Sequence, residues 1–223
     1  MLGIIGGTSL LYSELPTLAR EVVHTPYGSS ELLCGEIAIL LRHQRGLPPH
    51  RINYRAHIAA LAICGVDRLL SIGSGGALKS EIPVGSLLIP TDYISLADIP
   101  SIHEHAIEHV CPELDLPLSR ALKETIPEAR LGGIYIQTRG PRIETKAEVQ
   151  VLARIADVVG MTVASEATVA RELGIPCAAL CTIDNLAHGL GGDLLTYEHI
   201  LEASRAHSKR TEAVIRRIVE MLA

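Results

Sequence analysis

The sequence contains no phenylalanine, no tryptophan and only six tyrosines among 223 residues. A hydrophobic core must therefore consist of leucine, isoleucine, valine and alanine, which still bring the hydrophobic fraction to 48%. With 20% charged residues this is the composition of a globular chain and not of a disordered one. A chain of this length is expected to form one domain, residues 1–223, that buries about 70% of its unfolded surface.

Long apolar runs, basic runs and paired cysteine motifs are missing too. Charged or polar residues interrupt each apolar stretch, and the first residues lack the basic start of a signal peptide, so we expect no membrane association. The net charge of -5, without a basic cluster, gives no reason to expect nucleic acid as a partner. Five cysteines without a CxxC pair predict reduced, mostly buried thiols in a cytoplasmic protein.

Histidines cluster once, at His103, His105 and His109 around Glu104. Their spacing matches neither HExxH nor another zinc signature. A solvated or flap segment is the better interpretation, so the sequence predicts no metal.

The chain does contain a regular alternation of short apolar runs and helical patterns, with glycine at the junctions. Buried strands are expected at residues 2–5, 68–72, 133–137, 157–160 and 178–183. Helices are expected at residues 52–64, 144–155, 165–173 and at the C-terminal end. This alternation predicts an α/β fold with three layers, α/β/α, around a central mixed sheet. Ligands of such sheets bind at the carboxyl ends of the strands.

Candidate anion-binding residues follow the predicted strands. The amides and hydroxyls of the loop at residues 6–9 can face an anion, although two glycines after a strand more often form only a tight turn. This loop lacks both GxGxxG and the Walker lysine, which argues against a dinucleotide or a nucleoside triphosphate. Arg42 and His43 end another strand and can hold a phosphate, or can form a solvated surface pair. A second glycine turn is expected at residues 73–76.

Two further polar residues stand at element ends. Glu144 begins a predicted helix just after Pro141, where an acid is also favoured by the helix dipole alone. Asn185 follows the apolar run 177–183, and its amide needs hydrogen-bond partners that a ligand could supply. A turn residue at the end of a strand is the simpler interpretation of Asn185 taken singly.

Taken together, these residues resemble the trimeric purine nucleoside phosphorylase and methylthioadenosine phosphorylase family over nearly the whole chain. The resemblance is greatest to the small bacterial branch that acts on methylthioinosine or on inosine and guanosine. It is carried by residues 3–10, 42–43, 53–56, 140–145, 159–162, 170–174 and 185. It implies a nucleoside phosphorylase-like fold, a homotrimer, and reversible phosphorolysis with inorganic phosphate as co-substrate and no cofactor.

The resemblance also implies roles for single residues. Those expected to hold phosphate are Thr8, Arg42, His43, Ser74 and Thr162, with Gly73 in the same loop. Those expected to contact the nucleoside are Ile143, Glu144, Met161, Asn185, Ala187 and Tyr197. Glu144 and Asn185 would be the catalytic pair that hydrogen-bonds the base, and the ring and phenol of Tyr197 suit either a 5′-methylthio or a 5′-hydroxyl group.

The type of base follows from Glu144. An ionised carboxylate accepts the ring N–H of a 6-oxopurine and repels the bare lone pair of adenine. Adenine-specific relatives have serine at the Glu144 position and aspartate at the Asn185 position. A register shift of one residue would instead place Asp184 at the base and favour adenine, as in a methylthioadenosine phosphorylase. A hydrolase fits less well, and the altered turn at residues 73–74 leaves a nucleoside-binding homologue without turnover as the non-enzymatic alternative.

Overall fold

The computed structural model describes residues 1–7, 10, 13, 17–191 and 196–222, apart from the side chains of Tyr197 and Ile200. The strands in these ranges are β1 (Leu2–Gly6), β2 (Ala19–Thr25), β3 (Gly28–Cys34), β4 (Ala38–Leu41), β5 (Arg68–Ala77), β6 (Leu87–Ile89), β7 (Asp92–Ser95), β8 (Arg130–Leu131), β9 (Ile134–Gln137), β10 (Val158–Gly160) and β11 (Cys177–Leu186). The helices are α1 (Tyr54–Ile63), α2 (Leu116–Thr125), α3 (Lys146–Leu152), α4 (Val163–Glu172), α5 (Tyr197–Ala206) and α6 (Ser208–Leu222).

All the described strands belong to one mixed sheet that branches at β5. The main path runs β2-β3-β4-β1-β5-β10-β9-β7, and β11 leaves β5 to carry β6 and then β8. The centre is parallel, since β1 pairs in parallel with both β4 and β5, and β11 pairs in parallel with β5. The carboxyl ends of β1, β4, β5 and β11 therefore meet at one edge of the sheet.

Helices cover both faces of this sheet. One core cluster joins the central strands to α1 and α4 through residues such as Ile58 and Ala167. A second joins them to α2 and α6 through Leu122 and Ile218. The α/β/α arrangement expected from the sequence is thus confirmed, and the largest fully buried side chains of the described residues are leucines, isoleucines and Tyr135.

Several elements differ in extent from the sequence prediction. The glycines at residues 73–76 form no turn, because they continue β5 and pair with β11. Their missing side chains let β10 pack close, since a Cβ at Gly75 would lie 2.7 Å from Val158 Cγ2. β11 extends to Leu186, so Asn185 lies within a strand rather than after it. Met221, near the end of the last helix, is exposed.

Two expectations drawn from composition can be compared with the structure. Only Cys177 and Cys181 are buried, whereas Cys34 and Cys64 are partly accessible and Cys111 is exposed, so the prediction of mostly buried thiols was wrong. None of the helices in the described ranges combines the length and apolarity needed to cross a bilayer.

Candidate active site

Arg42 follows β4 and lies at the carboxyl edge of the sheet, where its backbone N–H donates to the Gly6 carbonyl at 2.8 Å. Its guanidinium is almost fully buried and forms a two-pronged ion pair with Glu166 of α4, Nε to Oε1 at 2.5 Å and Nη2 to Oε2 at 2.9 Å. Nη2 also donates to the Ile72 carbonyl at 3.1 Å. Burial by itself would lower the pKa of Arg42, but Glu166 outweighs it and the pKa is raised. The side chain is therefore a permanent and rigidly held cation.

The third guanidinium nitrogen of Arg42, Nη1, differs from the two that contact Glu166. Nη1 has no hydrogen-bond partner among the described residues and points to the turn after β1, where a Cβ at Gly7 would lie only 2.6 Å away. Glycine at position 7 is required by this close approach. Thr8, the predicted phosphate contact in the same turn, lies outside the described residues. A cation with an unused donor beside a glycine turn is a suitable binding position for an anion.

His43 lies beside Arg42 and faces the same turn. Its Nδ1 is 2.8 Å from the Leu47 carbonyl, so Nδ1 carries the proton, because a carbonyl can only accept. Burial, with a further contribution from Arg42, lowers the pKa of His43 and keeps the ring neutral near pH 7. Nε2 is then an acceptor that can take a proton when an anion binds.

The remaining predicted phosphate contacts behave differently from one another. Thr162 is the N-cap of α4, and its hydroxyl makes no capping hydrogen bond. Ser74 lies at the carboxyl end of β5, but its hydroxyl donates to Asp184. Gly73 faces Val163 inside the sheet and does not line the cavity that holds the others. One cavity is thus lined by four of the predicted phosphate contacts, Arg42, His43, Ser74 and Thr162, but not by Gly73.

Glu144 approaches the same cavity from the segment before α3. It precedes the N-cap Thr145, so it does not begin the helix, as the sequence suggested, but stands just ahead of a capping box formed by Thr145 and Glu148. Its carboxylate is buried and accepts from the Thr138 hydroxyl at 2.5 Å through Oε1. Oε2 has no hydrogen-bond partner among the described residues. The Glu144 carboxylate can therefore accept a hydrogen bond from a ligand at a fixed position.

Asn185 lines the same cavity from β11. Its Nδ2 donates one hydrogen to the Leu186 carbonyl at 2.8 Å, which fixes the amide and leaves its second hydrogen available. The neighbouring strand gives it room, since a Cβ at Gly76 would lie 3.1 Å from Nδ2. A β-bulge between Ile183 and Asn185 turns Asp184 away into a separate small cavity with His207 and Arg210. Asn185, not Asp184, therefore lines the main cavity. The shift of one residue that would have put Asp184 in this position does not occur.

These side chains line a cavity of about 570 Å³, within the usual range for small-molecule sites. The other predicted nucleoside contacts Ile143, Met161 and Ala187 line it as well. Gly140, at φ +62, lets the turn before Glu144 reach Met161, because a Cβ there would lie 2.5 Å from the methionine sulfur. The side chain of Tyr197 lies outside the described residues.

Sequence reasoning missed the residues that hold the predicted ones. Glu166 fixes Arg42, Thr138 fixes Glu144, and His188 donates from Nδ1 to the Glu144 carbonyl at 2.9 Å while lining the cavity. Thr138 and Glu144 are only 6 positions apart, but His188 is 44 positions from Glu144, and Arg42 and Glu166 are 124 positions apart. The one available signal was the placement of Glu166 on the buried face of a predicted helix, where an acid needs a partner.

A family of known proteins matches the sequence over nearly the whole chain. The family described as the phosphorylase superfamily matches residues 1–220. The chain belongs to the phosphorylase superfamily. A probable 6-oxopurine nucleoside phosphorylase of Archaeoglobus fulgidus is 39% identical, with 99% of this chain and 96% of that protein covered. A probable S-methyl-5′-thioinosine phosphorylase of Methanocaldococcus jannaschii is 35% identical, with 99% and 90% covered.

Solved structures of phosphorylases have the same fold. A methylthioadenosine phosphorylase from an antarctic soil metagenomic library superposes with a TM-score of 0.87 at 25% identity, over 99% of this chain and 85% of that one. The methylthioadenosine phosphorylase of Schistosoma mansoni in complex with adenine gives 0.85 at 20% identity, over 99% and 91%. At 20% identity, the similarity to the Schistosoma mansoni structure concerns the fold alone.

Proposed function

We propose that this phosphorylase catalyses the reversible phosphorolysis of a 6-oxopurine nucleoside or methylthionucleoside, such as methylthioinosine, inosine or guanosine. The products are the free base and ribose 1-phosphate or its methylthio analogue. The observation that carries the proposal is one cavity lined by a buried arginine with a free donor and, separately, by a carboxylate and an amide. The names of the two relatives from Archaeoglobus and Methanocaldococcus support the same class of substrate.

Phosphate is proposed to bind at the end of the cavity that Arg42, His43 and Thr162 line. Arg42 Nη1 supplies charge, the Thr162 hydroxyl a neutral donor, and His43 a ring nitrogen that exchanges a proton with the anion. An oxygen of phosphate attacks the anomeric carbon of the sugar as the bond from that carbon to the purine nitrogen breaks. The attacking anion offsets the positive charge that develops on the sugar, so the protein needs no nucleophile of its own.

The departing purine takes the electron pair of the broken bond. Asn185 is proposed to donate its free amide hydrogen to the imidazole part of the base, where this negative charge accumulates. Glu144 accepts the ring N–H of a 6-oxopurine. Together they stabilise the leaving group more in the transition state than in the bound substrate, which is the condition for acceleration.

Methylthioadenosine phosphorylase is the alternative, favoured by the solved structure that is 25% identical. In such an enzyme, Asp184 would be expected to hydrogen-bond the adenine base. Its carboxylate instead accepts a hydrogen bond from Ser74 and lines another cavity. A buried carboxylate at Glu144 has no proton to offer the bare lone pair of adenine. Both placements favour the 6-oxopurine.

Comparison of base release from methylthioinosine, inosine, guanosine and methylthioadenosine, with and without phosphate, tests the proposal. We expect hypoxanthine and guanine release that requires phosphate and yields a sugar phosphate. Faster release of adenine would contradict the assignment of Glu144. Free ribose in phosphate-free buffer would indicate a hydrolase, and binding without turnover would indicate a nucleoside-binding protein. The comparison of methylthioinosine with inosine also decides the 5′ substituent.

A further inference from the structure

Two cysteines and a glutamate converge near the amino-terminal end of β4, at the opposite edge of the sheet from the proposed active site. Ligand atoms of Glu21, Cys34 and Cys64 all lie within 4.8 Å of one another. Among the described residues this is where three potential metal ligands meet, whereas the histidine segment around His103 forms no such group. The three residues come from three elements and share no sequence motif.

The fold explains their convergence. β2 and β3 form an antiparallel hairpin in which Glu21 is opposite Leu32 and Cys34 is opposite Ala19. Glu21 and Cys34 are therefore diagonal neighbours on one face of the hairpin. α1 packs against both strands, and its C-cap is Cys64. The end of the helix thus brings the second thiol over the hairpin.

The carboxylate of Glu21 has no ion pair and accepts no hydrogen bond among the described residues. A divalent cation between this carboxylate and the two thiols would supply the missing counter-charge.

The distances also suit one ion. Zn²⁺ binds thiolate sulfur at about 2.3 Å and carboxylate oxygen at about 2.0–2.2 Å, which puts two sulfurs of a tetrahedral site about 3.8 Å apart. The observed sulfur–sulfur separation, which is within 4.8 Å, exceeds this value by no more than about 1 Å. Two thiolates select a soft or borderline cation over Mg²⁺ or Ca²⁺.

We propose that Glu21, Cys34 and Cys64 form a binding site for a thiophilic divalent cation such as Zn²⁺, with water as the fourth ligand. The ion ties the β2–β3 hairpin to the C-terminal end of α1. Binding releases the protons of the two thiols to solvent and involves no change of oxidation state, so its affinity increases with pH. The N-terminal end of α1 is about 15 Å away along the helix axis, so the ion acts on stability and not on catalysis.

The test uses the full-length, untagged protein, stripped with a chelator and kept reduced with a phosphine. Zn²⁺ content is measured after gel filtration, and Co²⁺ or Cd²⁺ serves as a spectroscopic probe. We expect one ion per chain, a sulfur-to-metal charge-transfer band, and a Tm that rises with free Zn²⁺. Nucleoside cleavage should not change when the ion is removed.

Three variants assign the ligands. Cys34→Ser and Cys64→Ser should abolish the charge-transfer band, whereas Cys111→Ser, which removes an exposed thiol elsewhere, should keep it. Glu21→Gln changes an exposed position and should fold normally while weakening the affinity at least about tenfold. The proposal is overturned if the reduced protein takes up no stoichiometric ion, or if the band persists without Cys34 and Cys64. If the reduced protein binds no ion and glutathione disulfide oxidises Cys34 and Cys64 to a disulfide, the two thiols form a redox pair and the proposed metal site is overturned.

Discussion

Arg42 and Glu166 form an ion pair whose side chains are 2% and 1% exposed. The loss of hydration of two buried charges is regained only where geometry and additional hydrogen bonds are good, as with Ser71, which donates to Glu166 at 2.5 Å. The ion pair therefore contributes little net stability, and its main effect is to fix the orientation of the Arg42 guanidinium. Because Glu166 holds Nε and Nη2, the ion pair fixes the direction in which Nη1 of Arg42 points, which is toward Gly7.

Replacement of Glu166 by glutamine should affect both stability and phosphate binding. The change leaves Arg42 charged and buried without its counter-ion, which costs about 3–5 kcal/mol, or roughly 10 °C in Tm. Because Arg42 is then free to reorient, the KM for phosphate should rise more than the KM for the nucleoside. Thermal unfolding and steady-state kinetics measure the two effects.

Glu113→Gln is the matched control, since it removes an exposed ion pair with Arg171, and exposed pairs contribute about 0–1 kcal/mol. Glu166→Asp, which keeps the charge, should restore part of the affinity for phosphate. A lower Tm with an unchanged phosphate KM would mean that the pair has no positioning role.

Glu144→Gln should reduce the preference for 6-oxopurines. A hydrogen bond to a charged group contributes about 1.5–3 kcal/mol, so kcat/KM for inosine should fall roughly 10- to 150-fold. The value for methylthioadenosine should fall less, because adenine has a lone pair where a 6-oxopurine presents a ring N–H to the carboxylate. Glu81→Gln, an exposed position, should change neither value. An equal loss for both substrates would remove Glu144 from base selection.

At the scale of single elements, the sequence indicates most strands and helices but not their ends. α3 is shorter than its pattern because the capping box at Thr145 fixes the first turn. β5 is longer because hydrogen bonds to β11 hold four residues that would prefer a turn in isolation. The hairpin of β2 and β3 and helix α2 needed the tertiary structure to be recognised in full.

Helix α1 contains a buried histidine that makes stability depend on pH. His57 is 5% exposed, and its Nδ1 has no hydrogen-bond partner in the described structure. Burial, opposed by Glu166 and assisted by Arg42 and His43, lowers its pKa to about 4. Between pH 6.5 and 4 the unfolded chain therefore binds a proton that the folded chain does not, and the unfolding free energy falls as the pH falls.

This contribution reaches roughly 3 kcal/mol at pH 4. His57→Leu should accordingly show a shallower loss of Tm between pH 6.5 and 4 than the unchanged protein. His24→Gln, at an exposed position, should follow the unchanged protein. Parallel curves for His57→Leu and the unchanged protein would contradict the assignment.

At the scale of the whole molecule, the assembly stays a prediction that comes from the family resemblance. The segment between β7 and α2 exposes Leu96 and Ile107, at 62% and 97%, and a second copy of the chain could cover them. We expect sedimentation analysis to give a mass of three times the 23.9 kDa chain. A mass of one or two chains would exclude the homotrimer.

The sequence by itself determined the fold class and most of the candidate site. Alternating apolar runs and helical patterns require a covered sheet, and the local pattern placed Arg42, Glu144 and Asn185 near element ends. The exact positions differ, since Glu144 precedes the N-cap of α3 and Asn185 lies within β11. The resemblance to a known family added their proposed roles. These inferences succeed because they depend on neighbours in the chain or on motifs read along it.

Only the tertiary structure decided which side chains face one another. The β-bulge that separates Asn185 from Asp184 arises from the pairing of β11 with β5. The partner of Arg42 is 124 residues away, and the thiols of Cys34 and Cys64 meet because a helix packs on a hairpin. Such contacts have no local signal, since they depend on the packing of elements that are remote in sequence.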